Sequence, residues 1–75
     1  MTPERERRGH WMRQQRERQR VTVKEVARRV EVSRAAVEQW ELGTREPSYV
    51  RFIRWARSLA LDPAEAMRGV EALVE

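Results

Sequence analysis

Apolar residues return along this chain with the period of a helix. Val23, Val26, Ala27 and Val30 fall at i, i+3, i+4 and i+7, which places them on one helical face. Phe52, Trp55, Ala56 and Leu59 repeat that stripe, with Arg51, Arg54 and Arg57 turned to water. Between the two stripes, Val37 and Trp40 share a buried side while Arg34, Ala35, Glu38 and Gln39 lie round the opposite side. Met67, Val70 and Val74 line one side of a last segment. The first segment is the thinnest. Trp11 and Met12 are its large apolar candidates, and the polar Gln15 stands where a further core residue is expected one turn later.

Capping and breaking residues set the boundaries. Thr2, Pro3 and Glu4 supply a hydroxyl cap, a proline at the first helical position and an acid near the positive end of the helix dipole. Thr22 caps the second segment and Ser33 the third, Gly43 ends the third, and Thr44 to Pro47 form a loop. Ser48 opens the fourth, and Asp62 with Pro63 opens the fifth. Helices are thus predicted at about 3–19, 23–30, 34–42, 49–59 and 63–74, with no strand signal. Five short helices with short connections give an all-α fold, one compact domain over residues 1–75.

A domain of 75 residues buries only about 60% of the surface its unfolded chain exposes, so a second copy would help to stabilise it. The formal net charge is +4 and is unevenly spread. Residues 1–20 carry seven basic and three acidic side chains, residues 21–59 eight and five, residues 60–75 one and four, so the tail is acidic and the rest basic. Fifteen of the 16 basic residues are arginine, whose planar fork suits phosphates and guanine edges, although a GC-rich genome produces the same bias. The absence of cysteine excludes a disulfide framework, a zinc knuckle and a thiol nucleophile. There is no apolar run near 18 residues and no signal-peptide core, which points to the cytoplasm and away from membranes. His10 stands among polar residues without partners for metal binding or base catalysis and is expected on the solvated surface. No catalytic constellation, metal site, cofactor or small-molecule ligand is expected.

Residues 23–42 read as two short amphipathic helices separated by a three-residue turn, the second opened by Ser33 and Arg34. That arrangement pushes a helix end into the DNA major groove, and for a basic chain double-stranded DNA is the simplest partner. Seven residues then fall in register with a known pattern: Thr22, Ala27, Val37, Trp40, Glu41, Gly43 and Pro47, followed by Ser48. In them the chain resembles a helix-turn-helix domain of the lambda repressor and Cro type, the XRE family, over roughly Gly9 to Met67. The spacing has a packing reason: Ala27 sits where two helices cross at close range, and Val37 with Trp40 locks the second helix of the pair.

The resemblance implies a five-helix lambda-repressor-like fold and a set of roles. Bases would be read by Ser33, Arg34, Ala35, Glu38 and Gln39. Arg34 would fork onto guanine O6 and N7, Gln39 would pair with adenine and the Ala35 methyl would meet thymine, each bidentate pair discriminating by about 1–3 kcal/mol. Glu38 would either accept from cytosine N4 or repel wrong registers of phosphate. Backbone phosphates would be held by Thr22 and the Val23 amide, and by Thr44 and Arg45. Arg16 would pair with Glu41, the alternative being a free surface arginine. The chain departs from the family at Val23, where a glutamine is usual, and at Arg20, Glu31 and Ala60, where glycines are usual. A left-handed backbone at Glu31 costs on the order of 1 kcal/mol relative to glycine, and a positive φ is expected there.

The resemblance further implies a small transcriptional regulator, a homodimeric repressor or autoregulator on a palindromic operator, with recognition helices roughly 34 Å apart. Met67, Val70, Leu73 and Val74 are the dimer-interface candidates, unless that strip packs on the monomer's own core. Two rival readings are a protein-interaction module, such as an antitoxin or transcription-machinery adaptor in which DNA contact is secondary, and a basic helix on RNA or anionic membrane with no sequence preference.

Overall fold

In the computed structural model, which describes residues 3–72, the chain forms α1 (Pro3–Arg18), α2 (Val23–Val30), α3 (Arg34–Leu42), α4 (Tyr49–Ser58) and α5 (Pro63–Ala72), and there is no strand among those residues. The expected cap Thr2 and the dimer candidates Leu73 and Val74 lie outside the described residues. Side-chain caps start the helices where the sequence puts them. Thr22 Oγ1 accepts from the Glu25 amide at 3.1 Å, Ser33 Oγ from Ala36 at 3.1 Å and Ser48 Oγ from Arg51 at 3.2 Å. Each satisfies a donor that the first helical turn leaves open. Asp62 Oδ1 accepts from the Ala64 amide at 3.1 Å at the start of α5.

Three of the connections are built alike. Arg20, Glu31 and Ala60 follow the ends of α1, α2 and α4 with left-handed φ values of 58°, 64° and 56°. The next residue, Val21, Val32 or Leu61, returns its amide to the carbonyl of Arg16, Ala27 or Ala56 at 3.3, 3.0 and 2.9 Å, and each packs half-buried against the core. The residue after that caps the following helix: Thr22, Ser33 or Asp62. A left-handed residue, a returning amide and an apolar contact make up a Schellman closure. The apolar anchor holds the backbone in a region that L-residues otherwise avoid, so the turn expected at Glu31 forms without glycine, as do the turns at Arg20 and Ala60.

The core gathers Val26, Ala27 and Val30 of α2, Val37 and Trp40 of α3, Phe52, Trp55 and Ala56 of α4 with Leu59 just after it, Ala66 and Val70 of α5, and Met12 of α1. Trp55 is fully enclosed, stacked on Phe52 at 5.5 Å between ring centroids and tilted against Trp11 at 5.7 Å. Val70 is only 5% exposed, which removes it from the dimer candidates: its side chain fills the seam between α5 and the core, the alternative open for that strip. Met67 beside it is half-buried.

Helix α1 packs chiefly on α3. A Cβ at Gly9 would run into the carbonyl oxygens of Trp40 and Glu41, and one at Gly43 would come within 2.8 Å of the Glu6 Cα. Two glycines therefore let the backbones of α1 and the end of α3 approach closely. Gly43 also closes α3 with a left-handed φ of 82°. Arg8 reaches Glu46 at 2.9 Å and Arg5 reaches it at 3.2 Å, tying α1 to the loop after α3. Burial pushes the Glu46 carboxyl up, but the two guanidiniums outweigh it and hold the group below its usual range.

Candidate nucleic-acid interface

Helix α3 has two chemically distinct sides because its apolar residues recur at i and i+3. Val37 (0% exposed) and Trp40 (4%) are buried, while Arg34, Ala35 and Glu38 are exposed and Gln39 is half-buried. Ser33 is exposed at the same end, so four of the five expected base readers stand in solvent and the fifth stands partly in it. The Arg34 guanidinium has no carboxylate partner among the described residues and keeps its fork of donors.

The residues expected on phosphates divide. Thr22 is exposed and its oxygen accepts the cap bond from Glu25, which leaves the hydroxyl proton available to an outside acceptor. Ser33 is in the same state at the start of α3. The Val23 side chain packs half-buried against the core, so only its amide remains for an anion. In the loop after α3, the Gln39 carbonyl takes the amides of Gly43 and Thr44 at 3.0 Å and of Arg45 at 3.3 Å, and also the Thr44 hydroxyl at 3.3 Å. Thr44 therefore turns both its amide and its hydroxyl toward the helix end, the exposed hydroxyl only weakly, at 3.3 Å on an oxygen that already takes three amides. The Arg45 side chain is exposed and is the outward cation of that loop.

The angle of α3 is fixed from α1. Arg16 grips Glu41 through two bonds, Nε to Oε2 at 2.7 Å and Nη2 to Oε1 at 2.9 Å, and donates Nη1 to the Val21 carbonyl at 2.9 Å. The pair is 12% and 8% exposed, and the hydrogen bond to Glu41 is the main cause that raises the Arg16 pKa above its ordinary value. One guanidinium thus links α1, the α1–α2 connection and the last turn of α3. A two-point ion pair of this kind specifies orientation more than it stabilises.

The sequence pattern of the helix-turn-helix family matches residues 12–65, which takes in all of α2, α3 and α4. The chain belongs to the XRE-type helix-turn-helix family. With the family comes its coarse function, DNA binding in the regulation of transcription. The whole chain superposes on the crystal structure of the clp gene regulator ClgR from C. glutamicum, with a TM-score of 0.83 and 23% identity, covering 100% of this chain and 97% of that one. At that identity the likeness bears on the fold. No curated protein matches the sequence.

Among the described residues of this helix-turn-helix protein, no group of three acidic, histidine or cysteine side chains is placed to hold a metal ion, and no helix is long and apolar enough to cross a membrane. Two features of the site escape a periodicity reading. Gly9 is one, and its signal is a lone glycine inside an otherwise helical stretch, the mark of a close backbone approach. The threefold turn pattern is the other: its signal is an apolar residue immediately before each cap, at Val21, Val32 and Leu61.

Proposed function

We propose that this protein recognises a specific duplex DNA sequence and regulates transcription by occupying it, with the outward side of α3 in the major groove. One observation carries the reading: Arg34, Ala35 and Glu38 stand exposed on a helix whose opposite side is locked by Val37 and Trp40 and whose last turn is clamped by Arg16. Rigid presentation of a few side chains is what base readout needs. Arg34 is assigned to guanine, Gln39 to adenine and Ala35 to a thymine methyl. Thr22, the Val23 amide and Arg45 are assigned to phosphates.

A two-fold dimer is the expected working form. Among the described residues, Tyr49 (70% exposed) and Val50 (56%) are large apolar side chains left in water at the start of α4. A groove of about 480 Å³ between α4 and α5 is lined by Tyr49, Ile53, Met67, Arg57 and Glu71, among others. Apolar groups rimmed by both charge signs suit self-association, so the interface is placed on Tyr49, Val50, Ile53 and Met67.

Selection of bound duplexes from a random pool tests the reading, and a palindromic consensus is the expected result. Arg34→Ala should relax selectivity at one position of each half-site by about 1–3 kcal/mol while leaving the fold intact by circular dichroism. Recovery of no consensus, with binding that depends only on salt, would refute sequence recognition.

A further inference from the structure

Beside the recognition helix the surface carries a cleft of about 300 Å³, lined by Arg13 and Arg16 of α1, Val23 of α2, and Glu38, Glu41 and Leu42 of α3. Its charges are not equivalent. Arg16 and Glu41 neutralise each other with two short bonds, and the third Arg16 bond goes to a backbone carbonyl, so this pair offers little to an outside ligand. Val23 offers no polar side chain, and Leu42 is 64% exposed and apolar. Arg13 and Glu38 remain as the groups facing solvent, and Arg13 is the outward cation of the cleft.

Arg13 is held loosely. Its Nε lies 3.3 Å from Glu17, one turn along the same helix, and both side chains are more than half exposed. Exposed pairs of this kind contribute little and exchange readily for another anion. Glu38, on the opposite wall, belongs to the side of α3 assigned above to the major groove. A duplex lying on that side brings a backbone strand along the mouth of the cleft. There Glu38 repels phosphate, and of the groups at the α2 end, the Thr22 hydroxyl, Val23 and the exposed Lys24, only the apolar Val23 lines the cleft. From this geometry we infer that Arg13 is a DNA-backbone contact, so that α1 clamps the phosphate strand flanking the recognition helix as well as orienting that helix. The inference rests on the DNA reading above and adds a third element, α1, to the footprint expected from α2 and the loop after α3.

Fluorescence anisotropy on the full chain tests it, with a selected duplex and a scrambled one, from 50 to 200 mM salt. Arg13→Gln is compared with Arg18→Gln, which removes the same charge from the same helix at a position that does not line the cleft. For Arg13→Gln the slope of log K against log salt should become shallower by about 0.9 per protomer. Affinity for both duplexes should fall by the same factor, about five-fold per protomer near 0.15 M salt, with the selected consensus unchanged. Arg18→Gln should leave slope and affinity at the parent values. Equal slopes for the two variants, with the parent still selective, would overturn the Arg13 contact alone. A parent protein that fails to bind duplex would overturn it together with the DNA reading. Thermal melts of both variants should match the parent, because the Arg13–Glu17 contact is exposed.

Discussion

Helices α2 and α3 are positioned by what they bury, and α1 by what it lacks. Val26, Ala27, Val30, Val37 and Trp40 give the α2–α3 pair a continuous apolar side, and the serine and threonine caps fix where each helix starts. Helix α1 is twice as long as α2, yet its buried residues are Met12 and Gly9. The missing Cβ of Gly9 brings its backbone against the end of α3, close enough for Arg16 to reach Glu41 with both arms of its fork. An apolar stripe can hold a helix by burial alone. A helix with little to bury needs a close approach and a directional bond, and these fix its angle as well as its place.

The largest expected effect breaks the α1 side of that contrast. Gly9→Ala adds one carbon where the neighbours are the backbone carbonyls of Trp40 and Glu41, which have no rotamer to move. Overpacking of this kind costs typically 1–3 kcal/mol, and the rigid neighbours put this site at the upper end, about 3 kcal/mol, against a helix-propensity gain of at most about 1 kcal/mol. A net loss of about 2 kcal/mol should lower the melting temperature by about 8–16 °C in a domain of this size. Gly69→Ala is the matched control, since its added carbon meets the Trp11 ring, a side chain, at 3.1 Å. If Gly9→Ala proves as harmless as the control in urea titrations, α1 does not depend on the close approach.

The same contrast explains what the sequence could and could not reveal. Elements placed by burial were legible: α2, α3 and α4 fall at the predicted residues to within one position, because four apolar residues at helical spacing in the α2 and α4 stripes, and the Val37–Trp40 pair between a serine cap and Gly43 in α3, leave little choice of face. The outward set Arg34, Ala35 and Glu38 follows from the inward pair Val37 and Trp40 by geometry alone. Val70 shows the limit. Periodicity marks it as apolar on one side of α5, but whether that side meets the chain's own core or a partner depends on where α5 docks, and docking puts Val70 in the core. Thr44 shows another. Its residue type suits a phosphate contact, and only the hydrogen-bond arrangement shows that its amide and hydroxyl turn toward the Gln39 carbonyl at the end of α3.

A smaller effect sharpens the α2–α3 side. Glu31 holds φ 64° in the turn between the two helices, kept there by the returning Val32 amide and its apolar contact. Because a left-handed backbone costs an L-residue roughly 1–2 kcal/mol, and glycine returns part of that through greater freedom when unfolded, Glu31→Gly should stabilise by about 1 kcal/mol. Arg20→Gly and Ala60→Gly should shift stability in the same direction. The chevron or melting curve of Glu31→Gly checks this, and a destabilisation would mean that the Glu31 side chain, not the Val32 anchor, maintains the turn.

The smallest effect separates exposed ion pairs from the enclosed one. Glu25 on α2 is hydrogen-bonded first by Arg28 and then by Arg29, which lowers its pKa from 4.5 to about 2, and it lies at the surface, partly covered by the two arginines. A carboxyl whose pKa is lower in the folded state stabilises fully above about pH 4.5 and loses that contribution as pH falls through about 2. Water screens the cluster, so the gap in melting temperature between the parent and Glu25→Gln should be small at pH 6 and should close on acidification. Arg29 also donates to the Ser58 carbonyl at 2.7 Å, a tie between α2 and α4 that needs no carboxylate and persists in acid. A gap that widened below pH 4 would mean that protonated Glu25 still favours the folded state, and the cluster would then owe its geometry to hydrogen bonding instead of charge.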